Sequence, residues 1–394
     1  MFASTEPPSR ETLDEFVALA GARRWRSRFA EIERQAAIGQ RAGKAILGHH
    51  APCYAIERLR RGATVPTTAE VRIGALAAEA VSVARNLSGR GHAHLRERLC
   101  EALDGDNSLM PLLHLLRTAA LQRARGFDVH FAGLDDGASF DLLIARGGME
   151  AEVACAVVSA EEGRSMHRAA WFHLADRIDP DLQTWLAAHP GRYLLRVSLP
   201  DGLQSGESLA RLHERIRLLL SSERRADHDP AVVLRLDPLL LAGAQADELG
   251  LISSLKREFG PESHLSMTAA GGGVFVMAAR AGRENDVAHA ICRRMAESVP
   301  ARLTGTRPGI LAMFVEDTDR IEWRGLHERL ELEGEARQFL TRPEARTVVA
   351  VTFASRVELF GAEGAAAGGE LRFRNPAHPA ARAAALSPAV VSSV

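Results

Sequence analysis

Lysine is almost missing from this chain: Lys44 and Lys256 are the only two, against a large surplus of arginine. The bias fits a GC-rich, bacterial-type composition. It leaves most of the sequence without a titrating amine, because a guanidinium stays protonated and cannot accept a proton. Cysteine is sparse too, and Cys53, Cys100, Cys155 and Cys292 are too scattered for a zinc knuckle or a disulfide framework. They suit a reducing cytosol. An excess of one charge is also lacking: 49 basic and 50 acidic residues give a formal net charge of −1, so a surface for a polyanion has to be a local patch. No apolar run approaches a membrane span, and the opening MFASTEPPSRETLDEF is acidic where a signal peptide has a basic start and an apolar stretch. The expectation is a cytoplasmic protein with no membrane partner.

What is present is ample material for a core. With 394 residues, 46% of them hydrophobic, the chain is long enough for two or three domains. Residues 1–104 read as a helical N-terminal region, with Phe16, Leu19 and Ala20, then Leu76, Ala77, Ala80 and Val81, at helical spacing. Breaks fall at GHHAPC, at RGATVPTTAE, where Thr68 can cap a helix from Ala69, and at LSGRG. Residues 105–226 begin with the helix LMPLLHLLRTAALQRARG, its Leu112, Leu115, Leu116 and Ala119 on one face and Gly126 at its end. FDVHFAGL, ASFDLLIAR and MEAEVACAVVS follow as a meander divided by Asp-Asp-Gly and Gly-Gly turns; a helix over SAEEGRSMHRAAWFHLADRI, a fourth strand GRYLLRVSLP and a helix from Ser208 to Arg225 complete the segment. DHDP marks a second boundary. A C-terminal α/β unit over 227–360 then carries strand AVVLRLD, a helix near Asp247 to Phe259, hairpin SHLSMTAAGGGVFVMAAR, a helix near Glu284 to Ser298, strand ILAMFVED, a helix from Trp323 to Leu340 and strand TVVAVTFAS. It either extends the preceding sheet or stands alone. Residues 361–394, rich in Ala, Gly and Pro, read as a flexible tail in which only LRFRNPAHP is patterned.

The helix LLHLLRTAALQRARGFDV, the strand FDLLI, and EAEVACAVVS running into AEEGRSMHR together resemble the PD-(D/E)XK, restriction-endonuclease-like superfamily. Members of that family place an Asp on one strand and Glu-x-Lys on the next. The acidic pair holds a divalent metal and the lysine positions or activates water; residues two apart on a strand share a side, so Glu and Lys can face one phosphate. The resemblance implies a mixed sheet flanked by helices and puts Asp141 at the family's Asp. Two registers are open. Anchoring on Ser159, Gly163, Arg164, His167 and Arg168 puts Ala154 at the Glu position and Ala156 at the Lys position, a degenerate site. Shifting by two makes Glu152 the metal-binding Glu and Ala154 the missing lysine. Neither restores a lysine, and Glu150, Glu152, Ala154 and Ala156 share one side of the strand in both.

Each candidate has a plainer reading beside the functional one. Asp141 is a metal ligand or a polar residue on a half-buried strand; Glu150 and Glu152 are metal ligands or a solvent-facing pair. Arg164, His167 and Arg168, at i, i+3 and i+4, form a phosphate-binding face or a face paired with Glu161 and Glu162. Arg23, Arg24, Trp25, Arg26 and Arg28 have the ingredients of a stacking surface for nucleic acid, yet alternate with Glu31 and Glu33 as an ordinary helix face does. His49 and His50 lack partner ligands, and the glycines at Gly271 lack Gly-Lys-Ser/Thr, so both mark turns.

The expected fold is α/β: a helical N-terminal region, a restriction-endonuclease-like mixed sheet flanked by helices, and a second C-terminal α/β unit. The first expected function is a pseudo-nuclease that binds DNA, RNA or a protein partner through the former active-site cleft, with no cofactor. The alternatives are an active Mg²⁺-dependent nuclease using Asp141 and Glu152, and a structural or assembly subunit without a nucleic-acid ligand.

Overall fold

The computed structural model describes residues 6–203, 206–239, 254–255, 258–260, 263–362, 365–366 and 369–393. Six helices come first: α1 (Arg10–Ala20), α2 (Ala22–Ala36), α3 (Gln40–His49), α4 (Ala51–Arg60), α5 (Thr68–Asn86) and α6 (Gly89–Glu101). The cap of α5 is Thr67, one residue before the Thr68 expected. Its hydroxyl accepts from the Glu70 amide at 3.2 Å while the Glu70 carboxylate accepts from the Thr67 amide at 2.7 Å, so two otherwise unpaired amides are satisfied reciprocally.

Next come α7 (Met110–Ala124), β1 (Asp128–His130), α8 (Ala132–Asp135), β2 (Leu142–Arg146) and β3 (Met149–Ser159). They are followed by α9 (Arg168–Ala188), β4 (Arg192–Leu199), α10 (Gly206–Ser221), β5 (Ala226–His228), β6 (Val233–Pro238), β7 (His264–Ala270) and β8 (Gly273–Ala281). The chain closes with α11 (Val287–Arg302), β9 (Gly309–Glu316), α12 (Arg320–Glu328), α13 (Glu331–Leu340), β10 (Val348–Ser355), α14 (Arg356–Phe360), β11 (Leu371–Arg374) and α15 (Ser387–Val390). The fold is mixed α/β with a helical N-terminal region and two mixed sheets. Among the described residues no helix is long and apolar enough to cross a membrane.

The elements divide between two compact units. The first takes Met1–Glu33, Gly48–Glu162 and Ala288–Val394; the second takes Arg34–Leu47 and Gly163–Val287. In the first unit the sheet order is β1-β2-β3-β9-β10-β11. β1, β2 and β3 form the expected antiparallel meander, except that the first strand keeps only Asp128–His130 of FDVHFAGL and Ala132–Asp135 is the helix α8; β3, β9 and β10 run parallel, and β11 returns antiparallel on β10. β9 and β10 are buried at every residue and so show no alternation, as strands covered on both faces do not. α7 is buried on nearly every side, so its expected apolar stripe is part of an all-round contact; Gly126 ends it at φ 82°. Its leucines share a core with Leu142 and Ile144 of β2 and Ala151 and Val153 of β3.

The second unit has sheet order β5-β6-β4-β8-β7, with Trp171, Leu174 and Ile178 of α9 packed with Leu195 of β4 and Phe275 and Met277 of β8. Residues 34–47 are tied into it through Asp176, which accepts the Arg41 amide at 2.9 Å and the Ala42 amide at 2.8 Å.

These pairings redraw the expected boundaries. β4, read as the fourth strand of a 105–226 domain, lies instead between β6 and β8 in the second unit. The neighbour of β3 is β9, because the whole run 163–287 is inserted between them. The segment 227–360 is therefore split: its first strands belong to the second unit, and β9 and β10 extend the first sheet. The described residues of 361–394 form no tail. β11 completes the sheet, and Leu386, Ala389 and Val390 are in the core; an alternating Leu371 and Phe373 in Ala/Gly-rich surroundings is too short a strand to read from composition. The helix expected from Trp323 to Leu340 is broken at Leu330, which takes φ 58° between α12 and α13. The helix near Asp247 to Phe259 falls mostly outside the described residues.

One glycine fixes the start of β2. The Gly133 amide donates to the Asp141 carbonyl at 3.1 Å, and a Cβ at Gly133 would come within 2.8 Å of the Phe140 carbonyl oxygen and 3.1 Å of Asp141 Cα. Gly133→Ala is therefore expected to destabilise by about 1–3 kcal/mol, since backbone must move to admit the methyl. Denaturant titration checks this, as a lower midpoint at unchanged slope.

Candidate functional site

β3 runs past the end of β2, and Asp141 occupies the place where the ladder stops. Its amide donates to the Val153 carbonyl at 3.0 Å, and its carboxylate Oδ2 accepts the Cys155 amide at 2.7 Å, so the side chain continues a pairing that the backbone of β2 no longer makes. Two guanidiniums meet the same carboxylate. Arg98 of α6 donates to Oδ1 at 3.0 Å, and Arg302, the last residue of α11, donates to Oδ2 and also to the Ser139 carbonyl at 3.0 Å. The carboxylate is 3% exposed whereas the Arg98 and Arg302 side chains are 38% and 33% exposed, so the two guanidiniums face outward over it.

These residues line a cleft of about 490 Å³ together with His49, Ser108, Cys155 and Glu316. The Cys155 thiol is pushed well above its ordinary range by burial and by the Asp141 charge, so it is not a thiolate nucleophile. Burial, with Arg356 adding to it, lowers His49 and keeps its ring neutral. Glu316, at the end of β9, is pushed up to about 7 by burial, against the opposing pull of Arg356 at 3.8 Å; Ser108 Oγ is 3.5 Å from its carboxylate. Glu316 and both arginines were missed in the sequence. The signal for Glu316 is an acidic residue closing an apolar parallel strand, where open α/β sheets hold ligands, but it is legible only once β9 is known to lie beside β3.

The remaining candidates are placed elsewhere. Glu152 is fully buried, and its carboxylate accepts the Thr304 amide at 2.8 Å and the Thr304 hydroxyl, with Arg307 at 3.8 Å; Glu150 pairs with Arg307 at 2.7 Å. Asp141 and Glu152 thus have separate partners and are not brought together as a metal pair. The donors at Asp141 do not fit a divalent cation: both oxygens already accept from cations or an amide, and among the described residues no group of three His, Cys, Asp or Glu side chains could hold a metal. Ala154 and Ala156 do not line the cleft. Side chains alternate along β3, so Cys155 and Val157 pack on the α7 side while Glu150, Glu152, Ala154 and Ala156 take the other. The residues in the positions that a Glu-x-Lys would need beside this cleft are a cysteine and a valine, which keeps the deficit and moves it by one residue.

Arg164, His167 and Arg168 belong to the second unit, not to the unit of Asp141. They form no helical face: Arg164 is 3% exposed and precedes α9, His167 is the residue before its first turn, and Arg168 begins it. In α2, Trp25 is a core residue whose indole N–H donates to Glu57, and Arg28 is buried, donating to the Gly105 and Asn107 carbonyls; neither is available to stack on a base. His50 sits 3.2 Å from Arg28 and is pushed down to about 3 by burial and that charge, which makes it an acceptor inside the fold.

Two variants separate structural from site carboxylates. Glu152→Ala is expected to cost about 1–3 kcal/mol by leaving the Thr304 donors unpaired, seen as a lower unfolding midpoint with oligonucleotide affinity unchanged. For Glu316, a carboxyl raised from 4.5 to about 7 supplies stability below pH 4.5 that is lost as pH climbs through 7. Glu316→Gln removes the cost of ionising it, so the variant should match the native protein near pH 4 and exceed it at pH 8, by up to about 3 kcal/mol. Unfolding curves at the two pH values check the crossover.

Compared with known proteins, the chain matches no family model, no curated protein and no solved structure.

Proposed function

We propose that this protein is a nuclease-fold binding protein that no longer cleaves and that holds a nucleic-acid strand in the cleft around Asp141. The observation that carries the reading is the occupation of the Asp141 carboxylate by Arg98 and Arg302. Where a cleaving enzyme of the resembled family would hold a metal against a phosphate, this chain holds two guanidiniums. They neutralise the carboxylate and present two partly exposed guanidiniums to a 490 Å³ cleft that Glu101, Asp106 and Glu316 also line. Guanidinium forks match phosphate oxygens, so the cleft keeps the means to bind a phosphodiester. No lysine occurs in residues 105–226 to activate water beside one, and the thiol is held protonated; Glu101, Asp106 and Glu316 are further carboxylates on the cleft wall. The mixed sheet with α7 before the meander supports the reading, whereas the helix that the resemblance puts after β3 is α9, a part of the second unit.

The alternative of a metal-dependent nuclease built on Asp141 and Glu152 lacks this support, because each carboxylate is satisfied by a different set of donors.

Fluorescence anisotropy with labelled DNA and RNA oligonucleotides tests the proposal. Affinity should fall steeply with added salt, as counterion release requires. Arg98→Ala and Arg302→Ala should each weaken binding about tenfold, the loss of one charge-assisted hydrogen bond. No product should form in Mg²⁺ or Mn²⁺. Metal-dependent cleavage abolished by Asp141→Ala, or no binding of either nucleic acid at low salt, would overturn it.

A further inference from the structure

The first unit has a second concavity, of about 750 Å³, built where the end of α13, the 3-10 turn Pro343–Thr347, β11 and the loop after it converge. Arg337, Arg342, Arg346, Arg374 and His378 line it, and no Asp or Glu does. Only Arg337 is neutralised, by Glu333 one turn earlier on α13. Among the described residues, the guanidiniums of Arg342, Arg346 and Arg374 have no hydrogen-bond or ion-pair partner. In a chain whose net charge is −1 this clustering is not a by-product of composition. Three unpaired like charges around one hollow repel one another, and an anion seated among them would relieve that repulsion.

The scaffold is rigid where the charges sit. Asn375, 3% exposed, donates from its side chain to the Val348 carbonyl at 2.9 Å and accepts the Ala377 amide at 3.1 Å, which locks the loop onto β10. His378 Nδ1 accepts the Ala380 amide at 3.1 Å, so the neutral ring carries its proton on Nε2, a further donor. Phe373, Pro343 and Pro376 supply apolar wall. The volume lies in the range of small-molecule sites, far above what a lone phosphate needs.

We propose that this concavity is a second site, distinct from the Asp141 cleft, for a phosphate-bearing ligand of nucleotide size. Phosphoryl oxygens would take the forks of Arg342, Arg346 and Arg374, and the ring system would lie against Phe373 and the prolines. A free nucleotide and the 5′-phosphorylated end of a strand present this same chemistry.

Calorimetry on the full chain, at about 50 mM salt where phosphate contacts are strong, distinguishes them. The titrants are ATP and one short oligonucleotide with and without its 5′-phosphate. Binding of ATP assigns a free nucleotide; binding of the phosphorylated strand with ATP silent assigns a strand end. In either case the Arg342→Ala/Arg374→Ala double variant should bind at least tenfold more weakly, and Arg346→Gln should weaken binding independently. Arg98→Ala should leave this binding intact while weakening the Asp141 cleft, so the two sites fail separately. Removing mutually repelling charges should hold or raise the thermal midpoint of the double variant. The proposal is overturned if neither ATP nor the phosphorylated strand binds, if the 5′-phosphate makes no difference and ATP is silent, if the arginine variants bind as the native chain does, or if the double variant melts lower.

Discussion

The carboxylate of Asp141 is the point on which the first unit's sheet and its cleft both depend. It stands just before the first residue of β2, takes a β3 amide beyond the reach of that strand's ladder, and gathers a guanidinium from the N-terminal helices and another from the end of α11. A buried charge survives only when it is paired and hydrogen-bonded, and here three donors do both. The same contacts that make Asp141 affordable inside the protein close it to a metal. The satisfaction of this carboxylate and the outward placement of both guanidiniums are one fact about one side chain.

Much of the first unit's architecture was legible in the sequence because local rules govern it. The start of α5, expected one residue late at its cap, the Gly126 stop after α7 and the glycine-punctuated meander each depend on residues within a few positions of one another. What was not legible depends on partners far away in the chain. Nothing in GRYLLRVSLP distinguishes a strand that pairs with β3 from one that pairs with β8, since short alternating strands carry little register information. Arg98 and Arg302 are unremarkable on their own helices and become a site only when Asp141 lies between them. The strand parity of β3 was read correctly, but which side faces the cleft requires the position of α7.

The run of basic residues around Trp25 shows the opposite error. Its composition suggests a nucleic-acid surface, yet Trp25 contacts Phe16 and Phe29 in the core and Arg28 is consumed by backbone carbonyls. The arginines that do crowd an open hollow, from Arg337 to Arg374, are dispersed along the sequence and gave no local signal. In a chain this rich in arginine, density along the sequence is a poor guide to charge density in space.

The insertion between β3 and β9 has a kinetic consequence. Glu152 pairs with Gly309, so the central parallel contact of the first sheet closes a loop that contains residues 163–287, all of the second unit but Arg34–Leu47. Loop-closure entropy grows only slowly with length, but contacts between residues so far apart form late and fold slowly. Until they form, β3 exposes an unpaired, largely apolar edge to other chains. Emerging from the ribosome, the first unit must wait for the second.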